Sequence, residues 1–97
     1  MNDLEKLNLQ RDAIGNFYQD KGLKGFFVLL MKGNHAIGYR GAEDELISSA
    51  YLTLKAVGQI LGKDKLSSLV AVTLAQVDVP FEEVLANLNF AYMKKEN

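Results

Sequence analysis

An apolar ribbon constrains this chain more than any other feature of its sequence. Phe26, Phe27, Val28, Leu29, Leu30 and Met31 run without a polar break, and residues 36–40 follow with Ile37 and Tyr39. Six apolar residues in a row make a strand, and the Gly33-Asn34 pair between the two runs reads as a two-residue hairpin turn. That turn fixes a register by counting. Lys32 faces His35, Leu30 faces Ile37 and Val28 faces Tyr39 on one side, while Met31 with Ala36, Leu29 with Gly38 and Phe27 with Arg40 share the other. Both faces are therefore apolar, although an isolated two-stranded hairpin is only marginally stable in water. The helices of one subunit most simply cover one face, so the other requires a partner.

Helical patterning surrounds the ribbon. Leu4, Leu7, Ile14, Phe17 and Tyr18 form a stripe from Asp3 to about Tyr18, ended by residues 20–25, where two glycines accompany three charges. Beyond Gly41-Ala42, Glu43-Asp44-Glu45 place three acids in a first helical turn, where they favour the positive end of the helix dipole. Leu46, Ile47, Ala50, Tyr51, Leu54, Val57 and Leu61 continue this second helix over 43–61, with Gly62 as its left-handed stop. Gly58 inside it costs about 1 kcal/mol relative to alanine, and marks either the close approach of a neighbouring backbone or a tolerated imperfection. Asp64 suits the cap of a third helix from Lys65 to about Val77, apolar nearly all round and so expected at the centre of the core. Asp78-Val79-Pro80 then opens a fourth, with Phe81, Val84, Leu85, Leu88 and Tyr92 as its stripe and Lys94-Lys95 near its end. The reading is an α+β fold ordered α-ββ-α-α-α, a single small domain over 1–97 with the hairpin packed on the helices.

Composition narrows the chemistry. The charge of −1 provides no global field for polyphosphate, and the lack of cysteine excludes disulfides, zinc-thiolate sites and a thiol nucleophile. The charged N-terminus lacks an apolar signal segment, and the longest uncharged stretch, 66–77, is too short to span a bilayer. We therefore expect a cytoplasmic protein that does not engage the membrane.

No catalytic constellation emerges. His35, the sole histidine, follows the turn without a carboxylate at a recognisable spacing, so it reads as a solvated turn residue and no metal or cofactor is expected. Gly33, Gly38 and Gly41 precede Ala42-Glu43-Asp44 rather than the Lys-Ser/Thr of a phosphate loop, and three acids would repel a phosphate. Ser48-Ser49 and Ser67-Ser68 lack a base in any nucleophile pattern, and adjacent acids on a helix do not converge on one reacting atom. Residues 54–75 resemble helix-turn-helix only in outline, since 66–74 carries no Arg, Lys, Asn or Gln for base edges.

These features lead us to expect a non-enzymatic interaction or assembly module that acts as a homodimer, its hairpins paired edge to edge or stacked face to face. The expected self-association residues are Leu29, Leu30, Met31, Ile37 and Tyr39. The alternative arrangement is a monomer in which helix one crosses over the second face. A second function class is a nucleic-acid-binding accessory protein using the hairpin as a basic finger, with Lys24, Lys32, His35 and Arg40 on phosphates, against the simpler role of a charged rim that keeps the ribbon soluble. The third is a ligand pocket at the dimer interface built from Tyr39, Arg40 and His35.

Overall fold

The computed structural model describes residues 1–80 and 82–87. The elements run α1 (Asp3–Lys21), β1 (Gly25–Met31), β2 (Asn34–Arg40), α2 (Glu43–Leu61) and α3 (Lys63–Gln76), followed by helical residues 82–87. This is the expected α+β order. Two compact units divide the chain, Met1–Ala56 and Val57–Asn97. Among the described residues, no helix is long and apolar enough to cross a membrane.

In the first unit, Asn2 caps α1 by accepting the Glu5 N–H at 2.8 Å. The helix runs one turn further than its apolar stripe and stops at Gly22, which adopts φ +69 and lets the Leu23 N–H reach the Tyr18 carbonyl at 2.8 Å. Its ribbon-facing side is Leu7, Arg11, Ile14, Gly15 and Tyr18, at helical spacing, whereas Leu4 and Phe17 are exposed.

The hairpin departs from the sequence reading in its turn. Met31 pairs with Asn34, so Lys32-Gly33 is the two-residue loop, with φ +49 and +82. Gly33 thereby occupies the second loop position of a type I′ turn, in which both loop residues take positive φ, whereas Gly33-Asn34 would have put glycine first, as in a type II′ turn. Val28 consequently faces Ile37, Phe26 faces Tyr39 and Leu30 faces His35, with Leu29 opposite Ala36 and Phe27 opposite Gly38. Every cross-strand partner moves by two residues, and a shift of two preserves the side to which each residue points. The two faces survive although the pairing does not.

Lys32 is the position where this turn is least comfortable, because a side chain in the left-handed region meets its own carbonyl at a cost of roughly 1 kcal/mol. Its ion pair with Asp3, 3.8 Å long and exposed, returns little. Lys32→Asn is therefore expected to stabilise the first unit by about 0.5 kcal/mol, read as a higher urea midpoint at unchanged slope. A lower midpoint would contradict the turn assignment.

The core of this unit lies between α1 and one ribbon face. Leu7, Phe27 and Ala36 are the buried apolar residues among those described. The Phe27 ring packs against Tyr18, with centroids 4.8 Å apart, and lies directly across its partner Gly38, where any Cβ would collide with it. Gly15 performs the same service for Arg40: a Cβ there would stand 2.7 Å from Nη2. α2 begins with the Ala42 N–H donating to Glu45 Oε1 at 2.9 Å, half of a capping box. It is tied to the ribbon by the Phe26 N–H, which donates to Ser49 Oγ at 3.1 Å.

In the second unit, Gly62 (φ +97) ends α2 and directly precedes α3, so Asp64 lies within the first turn of α3 instead of capping it. Gly58 does mark a close approach, but by a side chain: a Cβ there would lie 3.0 Å from Leu66 Cδ2. The expectation that α3 is the central buried helix is not met. None of its residues is buried, and Leu69, Val70 and Val72 are exposed. An all-round apolar pattern shows that a helix wants covering on every side, and says nothing of whether the same chain supplies the cover. Pro80 accepts from the Glu83 and Val84 N–H groups at the start of the final helical segment. Phe81, Leu88, Tyr92, Lys94 and Lys95 of that expected helix lie outside the described residues.

Candidate interaction surface

The ribbon face away from α1 is the most distinctive surface of the first unit. Phe26, Val28 and Leu30 on β1 and His35, Ile37 and Tyr39 on β2 all point to it, forming three facing pairs. All six are exposed, and the five apolar ones range from 43% exposed for Phe26 to 80% for Leu30. Phe26 and Tyr39 are already paired across the strands, with tilted rings 6.2 Å apart. These are the non-hydrogen-bonded pairs of the hairpin, in which opposing side chains sit closest and merge into a continuous apolar strip.

Of the residues expected to self-associate, Leu30, Ile37 and Tyr39 are on this strip. Leu29 and Met31 share the opposite face with Phe27 and Ala36, on the side of α1, and are half-buried. Phe26 and Val28 complete the strip and were absent from that expected set. Their period-two spacing with Leu30 is the sequence feature that could have found them.

The basic residues do not assemble in the same way. Lys32 is at the hairpin tip, and Arg40 is at the opposite end of a seven-residue strand, roughly 20 Å away at the usual rise per residue. Arg40 lies over Gly15 of α1 and donates from Nη1 to the Tyr39 carbonyl at 2.8 Å. His35 is exposed on the apolar strip, and Lys24 precedes β1 near Gly41. Tyr39, Arg40 and His35 likewise divide between the two faces. Among the described residues, no three His, Cys, Asp or Glu side chains are placed to share a metal ion.

Ser49 of α2 has a structural part that its sequence pattern did not signal. Its hydroxyl occupies the free edge of β1, and a Cβ on Gly25 (φ +133) would lie 2.8 Å from it. The free edge of β2 has a different character. A concavity of about 460 Å³ adjoins it, lined by Ile37, Gly38, Tyr39, Arg40 and Gly41 together with Phe27 of β1, and by Arg11 and Asp12 of α1. No protein-family model, curated protein or solved structure matches this chain.

Proposed function

We propose that this chain is a small non-enzymatic interaction or assembly module that acts as a homodimer, with the apolar strip of the hairpin as its self-association surface. The observation that carries the reading is that strip. Five apolar side chains contribute on the order of 100 Å² apiece, so two stacked copies bury about 1,000 Å², the lower bound of a specific interface. A second copy is the cheapest source of a matching surface, because a two-fold axis presents the same strip to itself.

Face-to-face stacking is favoured over edge pairing because edge pairing leaves all five side chains in water. Two sheets stacked about 10 Å apart remove them together. The exposed apolar residues Ile47, Tyr51 and Leu54 of α2 point in the same direction, toward a protein that completes its core by assembly.

The absence of native cysteine makes a direct test simple. Ile37→Cys, treated with a short bismaleimide, is expected to form a covalent dimer quickly and in high yield. Asp20→Cys, on the exposed side of α1, serves as the control. Equal yields for the two variants would overturn the strip as the interface.

A further inference from the structure

The free edge of β2 presents a row of outward-facing backbone groups. Because Met31 and Asn34 close the turn, the hydrogen-bonded pairs alternate through Leu29/Ala36, Phe27/Gly38 and Gly25/Arg40, and the intervening residues direct their N–H and C=O groups outward. On β1 the outward Phe26 N–H is already taken by Ser49. On β2, among the described residues, no hydrogen bond reaches the outward N–H groups of His35, Ile37 or Tyr39. These three donors, spaced two residues apart, are the template for an added strand. The concavity between β2 and α1 lies along the last two of them.

The shape of this edge selects its occupant. α1 lies mainly beneath β2. An antiparallel second copy on this edge would bring its own α1 beneath the same face, whereas a lone extended peptide brings nothing beneath the sheet. Charge selects its chemistry. Arg11 and Arg40 line the concavity with a single acid, Asp12. Among the described residues, Arg11 is held by its exposed neighbour Asp12 at 3.3 Å and Arg40 by a backbone carbonyl, which leaves guanidinium donors for a carboxylate.

We propose that the free edge of β2 binds an extended, carboxylate-bearing segment of a partner protein as an additional strand, with its acids turned toward Arg11 and Arg40. Alternation fixes the pattern: acidic side chains toward α1, apolar side chains beside Ile37 and Tyr39. This site is built on the backbone edge of β2 and the two arginines; it shares Ile37 and Tyr39 with the apolar strip but does not depend on dimerisation.

The test uses the blocked peptide Thr-Val-Glu-Val-Glu-Thr, followed by fluorescence anisotropy and by the amide resonances of the full chain. Saturable binding is expected, with the largest shifts at His35, Ile37 and Tyr39. Arg11→Ser with Arg40→Ser should weaken it at least tenfold, and a peptide with Lys for Glu or an N-methylated backbone should fail to bind. Leu30→Lys, which disturbs the strip alone, should leave the affinity within twofold. Absence of saturation at millimolar peptide would overturn strand addition, as would equal binding of the N-methylated peptide, which would indicate anion capture alone.

Discussion

Gly38→Val is expected to destabilise the protein by about 3 kcal/mol. The Phe27 ring lies across Gly38 in the hydrogen-bonded pair that joins the two strands, and any Cβ there occupies the ring's position. Valine forces the ring out, which overpacks the core by roughly 1–3 kcal/mol and forfeits an aromatic pair with Tyr18 of about 1 kcal/mol. Only three apolar residues are buried among those described, so little else compensates. Urea titration at fixed protein concentration measures the loss, and the milder Gly38→Ala remains measurable if the valine variant does not fold. Combining Gly38→Ala with Phe27→Val should restore part of the loss, giving a coupling of about 1 kcal/mol or more. A loss below about 0.5 kcal/mol for the valine variant would mean that the ring does not rest on the glycine.

The particular residues show what was legible in the sequence and what was not. The two faces of the ribbon follow from a period of two, and they came out right despite a misplaced turn because the pairing error was an even number of residues. The turn itself was misread because Gly33-Asn34 and Lys32-Gly33 both place a glycine in the loop. Glycine suits the second position of a type I′ turn and the first of a type II′ turn, so the local residues do not decide between them. The roles of Gly15 and Gly38 were hidden for a related reason: each makes room for a side chain from a different element, Arg40 over one and Phe27 over the other. Which ribbon face α1 would cover was equally undetermined, since both were apolar. The structure gives α1 the side of Phe27 and Ala36, which leaves Leu30, Ile37 and Tyr39 on the open strip and moves Leu29 and Met31 off it. Helix α3 taught the converse lesson, because its apolar sequence called for cover that the described residues do not provide.

Leu30→Lys combined with Ile37→Lys is expected to abolish self-association while leaving each copy folded. Both side chains are exposed in the single chain, so their replacement should change its stability by no more than about 0.5 kcal/mol. In the stacked dimer the two changes bring four ammonium groups into one dry strip, where unpaired charge is strongly disfavoured. Dissociation should rise at least a hundredfold, equivalent to about 3 kcal/mol. Sedimentation velocity measures it, and an unchanged far-UV circular dichroism spectrum shows that the fold is retained. Leu29→Lys is the contrasting case: it puts charge on the side of α1 and should lower stability before it alters assembly.

The mass of the unmodified chain in solution tests the central claim most directly. Size-exclusion chromatography with light scattering at micromolar concentration is expected to give twice the 10.8 kDa of one chain, and the double lysine variant a single chain mass. A monomeric wild type under the same conditions would contradict the homodimer.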